Sequence, residues 1–422
     1  MSEITDVAAW EVLDSRGNPT VRAKVATDNG AGQFTVPAGA STGRFEAAER
    51  RDGSDRYGGM GVQEAVGTVT DELAAVAVGH DVTDQRGLDA ALEHADSTEN
   101  FSRLGANAVL AVSGAVLRTA SNVANRPFYR YVADQYDVEP SLPTPMVNVI
   151  SGGLHAKGGI EIQDFQVIPH GTASVADALE TVWAVRDAVR TAIVENGHRP
   201  LVADEGGFAP PLDEISDAFD LLLSSIERAG YVPGDEVSIA VDIAASHFYD
   251  RASERYHLAS VDRQLTRGQM LDLVVEWTEA YPVCSIEDPL AENDWEGWRR
   301  LADRLNDVQL LGDDLLVTDR DRLQRAVDDN LATAVLVKPN QAGTITRAID
   351  TVVKASDAGF ETVVSARSGE TCDITVADLA VGLDAGQIKI GSLARSERLA
   401  KYNRLLEVDH DSGLATRDPF KY

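Results

Sequence analysis

Val283-Cys284-Ser285-Ile286-Glu287-Asp288-Pro289 is a short run of strand formers that stops at two acids and a proline. Such a run suits a buried β-strand, and the proline ends it. The pattern recurs along the chain. VQLLG (308–312) stops at Asp313-Asp314, AVLV (334–337) at Lys338, and ETVVSA (361–366) at Arg367-Ser368, while QIKIG (387–391) carries Lys389. Upstream, VSIAVDIAA (237–245) carries Asp242, LVADEGG (201–207) ends at Asp204-Glu205, and IEIQDF (160–165) ends near Asp164. Amphipathic helical stretches separate these runs, which is the pattern of parallel strands joined by crossover helices. From Asp242 onward the polar groups step by 45, 26, 25, 29 and 22 residues, close to the roughly 30 of one βα unit. In a parallel barrel every strand opens its C-terminal end onto one face, so groups scattered in sequence converge in space. A row of helix N-caps would favour Asp at these places, but not Lys or Arg.

The first 135 residues read differently. Thr20–Ala26 alternates as a half-buried strand and ends at Asp28-Asn29-Gly30, a hairpin signal. Two helical segments follow, roughly 62–78 and 105–125, and the second is rich in small residues suited to close packing. Leu142-Pro143-Thr144-Pro145 reads as a hinge. The fold class expected is α/β: an N-terminal α+β capping domain over 1–135, then a modified TIM (β/α) barrel over 140–422 that carries the site.

Composition narrows the function. The chain of 422 residues holds 38 basic and 68 acidic side chains, a formal net charge of −30. Such a surface repels phosphate backbones, so nucleic acid is not an expected partner. No apolar run approaches the roughly 18 residues of a membrane helix, and the acidic start lacks the apolar core of a secretory signal. Cys284 and Cys372 form no CxxC pair. A cytoplasmic enzyme with reduced thiols is expected. Lysine is scarce, seven against 31 arginines, so a lysine at a strand end is not a default choice.

Asp242, Glu287 and Asp313 offer three carboxylates from successive strands, hard oxygen ligands that suit Mg²⁺. Two lysines lie beyond them, Lys338 and Lys389. A lysine beside a divalent cation can have its pKa lowered and act as a base, and the other can bind a substrate carboxylate. In known enzymes that pair a lysine base with one or two Mg²⁺, the metal holds the enolate that forms when a proton leaves the carbon next to the substrate carboxylate, and that pattern is applied here. Glu205 could protonate a departing hydroxyl. Arg367 and Ser368 could grip a phosphoryl group.

The chain resembles the enolase (phosphopyruvate hydratase) family over nearly its whole length. The resemblance rests on LDSRGNPTV (13–21), GASTG (39–43), LGANAVLAVS (104–113), GGLHA (152–156), DEGGFAP (204–210), SIEDPLAENDW (285–295), GDDLLVT (312–318), LVKPNQAGT (336–344), RSGET (367–371) and RSERLAKYN (395–403). It implies an enolase-type barrel and a Mg²⁺-dependent hydro-lyase that takes the α-proton from a 2-phosphoglycerate-like acid and expels water. By resemblance, Asp242, Glu287 and Asp313 hold the first Mg²⁺, Lys338 is the base, and Lys389 sits near the substrate carboxylate. Glu205 is the acid-side carboxylate. Ser41, in the mobile lid with Gly39 and Ala40, reaches a second Mg²⁺ bound with substrate. His155 faces the substrate from another mobile loop, with Asp164 nine residues on. Arg367 and Ser368 contact the phosphoryl group. The resemblance also implies a homodimer or higher homo-oligomer, with the DSRGNPT segment near the interface.

Several departures from the family pattern cluster. SHRSGETED has become SARSGETCD, with Ala366 for the histidine and Cys372 for a glutamate. QEF has become Gln163-Asp164-Phe165, Ala38 stands where a serine is usual in the lid, and KTG has become Lys389-Ile390-Gly391. The metal and base half is intact, and the half that meets the leaving hydroxyl and the phosphoryl group is altered. This favours a divergent hydro-lyase with an enlarged phosphoryl pocket lined by Ala366, resembling the carboxyphosphonoenolpyruvate synthases of phosphonate and phosphinate biosynthesis. An ordinary glycolytic enolase is the alternative, and a catalytically inactive binding paralogue a third. The two lysines kept in a lysine-poor chain argue against the third.

Overall fold

A computed structural model of the chain describes residues 2–40 and 43–420. Ser41, expected to reach a second Mg²⁺, lies outside the described residues.

Strands β1 (Ile4–Leu13), β2 (Pro19–Thr27) and β3 (Gly30–Thr35) make an antiparallel meander. The turn falls at Asp28-Asn29, where the hairpin signal places it, with Thr27 paired to Gly30. The helix Ala106–Val123 packs directly on this sheet. A Cβ on Gly32 would lie 2.5 Å from the Thr119 backbone nitrogen, and one on Gly114 would lie 2.4 Å from the Phe34 ring. The small residues of this helix therefore set how closely it meets the strands. The expected helix near 62–78 is present as Gln63–Ala77, wound through a π turn at Val69–Leu73. Two further helices, Gln85–Asp96 and Phe128–Tyr136, were not anticipated. The first is capped by the Asp84 carboxylate, which accepts from Gly87 N–H.

The barrel begins with β4 (Thr144–Ser151), β5 (Asp164–Pro169) and β6 (Val237–Asp242). A small side sheet follows, β7 (Tyr249–Asp250), β8 (Arg255–Leu258) and β9 (Arg263–Leu265). Then come β10 (Val283–Glu287), β11 (Gln309–Gly312), β12 (Ala334–Val337), β13 (Glu361–Ser365) and β14 (Gln387–Gly391). Eight strands close in the order β10-β11-β12-β13-β14-β4-β5-β6. Neighbours are parallel except that β5 runs against both β4 and β6. The fold is the α/β class expected, a capping α+β unit followed by a modified TIM barrel.

Three local expectations are corrected. The 142–145 segment is no hinge: Leu142 N–H donates to Ala415 at 2.9 Å, Arg417 N–H donates back to Leu142 at 2.8 Å, and β4 starts at Thr144. Pro145 pairs with Ile388 in the barrel wall. LVADEGG forms no strand, because Ala203 N–H closes a turn onto Gly207 O at 2.8 Å and Gly206 takes a positive φ of +87°. Asp164 does not end a strand but begins one, and because β5 is reversed, its start lies on the rim where the other strands finish.

Gly114→Val should destabilise the protein by about 1–3 kcal/mol, because the branched side chain would overlap the Phe34 ring. Denaturant unfolding measures this. An unchanged midpoint would mean the sheet can draw back from the helix.

Candidate active site

Register assembles the rim. Asp242, the last residue of β6, is paired with Glu287, the last of β10, and on its other side with Asp164, the first of β5. Asp313 follows β11 directly, Lys338 follows β12, Arg367 lies two residues past β13, and Lys389 sits within β14. All of these side chains are buried.

Two lysines knit the carboxylates together. Lys389 Nζ donates to Asp242 Oδ2 at 2.8 Å and to Glu287 Oε2 at 2.6 Å. Lys338 Nζ donates to Asp313 Oδ2 at 2.5 Å, and Gln341 Nε2 donates to Asp313 Oδ1 at 2.8 Å. Burial works against the Lys389 ammonium, but the charges of Asp242 and Glu287 outweigh it and hold the pKa well above its ordinary value. Burial likewise pushes the Asp313 carboxyl up, and the Lys338 and Arg367 charges bring it down to about 2. Glu287 goes the other way. Burial and the neighbouring Asp242 charge raise it, and its buried Oε1 has no hydrogen-bond partner among the described residues.

These residues fit a divalent cation. Three buried carboxylates converge from three adjacent strand ends, and one of their oxygens lacks a partner among the described residues. Two further residues not singled out in the sequence stand beside them. Asp288 Oδ1 accepts from Asp313 N–H at 3.1 Å and its Oδ2 from Asp314 N–H at 2.6 Å. The carboxylates of Asp288, Asp313 and Asp314 present oxygens all within 4.8 Å of one another. The doubled acids of EDP and GDD are the signal for both residues.

A second cluster holds His155, Asp164 and Glu205. His155 Nε2 lies 3.7 Å from Asp164 and 3.8 Å from Glu205, and Nδ1 lies 2.9 Å from Asp204 Oδ1, a close ionic contact off the line of a hydrogen bond. Burial disfavours the imidazolium, but the Glu205 and Asp164 charges and the contact with Asp204 more than offset it, raising the pKa to about 10. Burial lifts the Asp164 carboxyl to about 8, whereas the His155 and Arg398 charges overcome burial at Glu205 and lower it. The two carboxyls of this cluster are thus shifted in opposite directions, Asp164 upward and Glu205 downward. Asp164 is further held by Asn148 Nδ2 and by Ser151 at 3.2 Å.

The remaining sequence candidates meet at the third edge of the same cleft. Arg367, Ser368, Ala366, Lys389, Lys338 and His155 all line it. Ala40 N–H donates to Ser368 Oγ at 2.5 Å, and Gly39 O accepts from Arg16 Nη2 at 3.1 Å. Arg16 of the DSRGNPT segment thus ties the 38–40 strap to the site within one chain. Gly369 admits no side chain, since a Cβ there would stand 2.5 Å from both Arg16 and Asp14. Fully buried Arg398 donates to the carbonyls of Arg367 at 2.6 Å and Ser368 at 2.5 Å, a clamp the sequence reading missed.

Comparison with known proteins agrees with this geometry. Residues 4–132 match the family described as Enolase, N-terminal domain, and residues 139–418 match Enolase, C-terminal TIM barrel domain. The chain is 47% identical to the protein named Enolase of Acidothermus cellulolyticus over 419 residues, covering 99% of this chain and 96% of that one. It is also 47% identical to Enolase of Rubrobacter xylanophilus over 422 residues, covering 99% and 97%. The chain belongs to the enolase family. It is a hydro-lyase, and enolases are in general Mg²⁺-dependent, in keeping with the acidic groups at this rim. No helix among the described residues is long and apolar enough to cross a membrane.

His155 should remain an imidazolium well above its ordinary value of 6.5. Because its folded pKa is raised to about 10, the stability it adds is complete below about pH 6.5 and is lost as pH rises through about 10. Ring-nitrogen NMR of the metal-free protein should show the charged form at pH 8. A neutral ring at that pH would contradict the electrostatics described.

Proposed function

We propose that the protein dehydrates 2-phosphoglycerate to phosphoenolpyruvate with Mg²⁺, as an ordinary glycolytic enolase does. The observation that carries this reading is the buried network in which Lys338 and Lys389 pair with Asp313, Asp242 and Glu287, with Arg367 and Ser368 lining the same cleft. The full-length likeness to two proteins named Enolase supports it over the enlarged-pocket reading that the departures first favoured.

In this reading Asp242, Glu287 and Asp313 hold Mg²⁺, which supplies Lewis-acid stabilisation of the charge that builds on the substrate carboxylate. Lys389, kept charged by its buried acids, pairs with that carboxylate. Arg367 and Ser368 hold the phosphoryl group, the planar guanidinium being suited to two of its oxygens. Lys338 Nζ, once unprotonated, takes the proton from C2. The C3–hydroxyl bond breaks, the carbon–carbon double bond forms, and the hydroxyl leaves as water with a proton from the His155–Asp164–Glu205 cluster. Asp164 is the member of that cluster whose carboxyl is shifted toward the protonated form. The reading includes a second Mg²⁺ reached through Ser41, a homo-oligomer and a cytoplasmic enzyme. Trp10, Leu13, Trp183 and Leu201 are exposed large apolar side chains that self-association could cover.

The second reading rests on Ala366, which lines the cleft beside Arg367 where the family carries a histidine. In it the substrate phosphorus bears an added carboxylate.

Purified protein should convert 2-phosphoglycerate, followed by enol absorbance, only with Mg²⁺, and excess chelator should stop it reversibly. Absence of turnover with Mg²⁺ present would remove the proposal, and faster turnover of the carboxyphosphono analogue would replace it with the second reading. Lys338→Ala should abolish exchange of the substrate α-proton with solvent, read by deuterium incorporation. Retained exchange would place the base elsewhere.

A further inference from the structure

Glu46 belongs to the capping domain, yet its carboxylate is buried in the barrel mouth, with 6% of the side chain exposed. It holds Arg367 by two contacts, Nη1 to Oε2 at 2.9 Å and Nη2 to Oε1 at 3.3 Å. The same carboxylate accepts the Gly43 backbone N–H at 2.7 Å, and Gln341 Nε2 lies 3.4 Å from Oε1. Gln341 in turn donates to Asp313 Oδ1 at 2.8 Å, accepts from Thr318 Oγ1 at 2.7 Å, and has its carbonyl bound by Ala47 N–H at 2.9 Å. One carboxylate therefore joins the arginine read as the phosphoryl grip to the side chain that braces Asp313.

We propose that Glu46 is a positioning residue that fixes the guanidinium plane of Arg367 for phosphate. Arg367 Nη1 is held from two sides, by Glu46 and by Asn340 Oδ1 at 3.1 Å, and this defines its rotation. Glu46 cannot be a mere stand-in that leaves when a phosphate arrives. Its carboxylate is anchored to Gly43, and the strap beyond is docked by Ala47 on Gln341 and by Phe45 against Arg322, 4.2 Å from ring centroid to guanidinium. A bidentate buried carboxylate orients an arginine better than either partner could alone. The two possible roles have opposite signs. If Glu46 only competed for Arg367, removing its charge would tighten phosphate binding. If it positions Arg367, the same change weakens it.

This inference rests on the reading of Arg367 as the phosphoryl contact, and its test is separable from that of the overall function. Inorganic phosphate is titrated calorimetrically into the full chain with Mg²⁺ present, for wild type, Glu46→Gln, Glu46→Asp, Arg367→Ala and the Glu46→Gln/Arg367→Ala double variant. Glu46→Gln should weaken phosphate binding at least tenfold, Glu46→Asp should recover part of the loss, and Glu46→Gln should add less than twofold in the Arg367→Ala background. Thermal midpoints establish that each variant is folded, and a misfolded Glu46→Gln leaves the Glu46→Asp value, which must itself fall below wild type. Unchanged or tighter binding in folded Glu46→Gln, equal losses in both backgrounds, or no phosphate binding by wild type would each overturn the proposal. Wild type that binds phosphate but does not turn over 2-phosphoglycerate would refute the overall function and leave the role of Glu46 standing.

Discussion

The site depends on the cost of burying like charges. Asp242 and Glu287 end neighbouring strands in direct register, and Asp313 follows the next strand over. Three carboxylates cannot remain ionised together at a buried rim without compensating charge, because desolvation and mutual repulsion both raise their pKa values. Lys389 bridges the first two and Lys338 takes the third. Asp313 shows the balance tipped far toward the anion, and Glu287 shows it tipped the other way, with an oxygen left unpartnered among the described residues. A divalent cation and an anionic substrate are complementary to this surplus of opposed charge, in a way that a neutral ligand would not be.

The barrel does not complete the site unaided. Arg16, Ala40 and Glu46 come from the capping domain and reach Ser368 and Arg367. The close fit of Gly369 against Arg16 and Asp14 leaves no slack in that contact. Relative movement of the two parts would therefore displace the edge of the cleft at Arg367 and Ser368 before it disturbed Asp242 and Glu287, which end barrel strands. Ligand sites commonly lie where two units meet.

Much of this was legible in the sequence because barrel topology turns linear spacing into proximity. The regular steps between Asp242, Glu287, Asp313, Lys338, Arg367 and Lys389 survive in space, since each follows or belongs to a wall strand. Legibility failed where local pattern and topology part company. Asp164 is on the rim only because β5 is reversed, a fact of strand pairing that no local periodicity encodes. Glu205 arrives on a turn rather than a strand, and β4 was hidden by the prolines at its start. Glu46, Gln341 and Arg398 act through contacts spanning 295, 28 and 31 residues. Their residue types are unremarkable where they stand, and only the folded chain shows what they hold. The opposite shifts of Asp164 and Glu205 are likewise a product of surroundings, since both are buried carboxylates and the neighbouring charges separate them.

The same view of charge reconciles a chain of net charge −30 with an anionic substrate. Of its seven lysines, Lys338, Lys389 and Lys401 are buried. Lys401 also serves the site, pairing at 2.8 Å with Glu370, whose other oxygen accepts from Arg367 N–H. Lys338, Lys389, Arg367 and Arg398 line the barrel mouth, where low dielectric lengthens the reach of a charge, while charges exposed to solvent are screened by water and salt within about 10 Å. A divalent cation held by the rim carboxylates would add to Lys338, Lys389 and Arg367 in drawing an approaching phosphate inward. The net charge of the surface and the local potential of the cleft are set by different residues, and so can differ in sign.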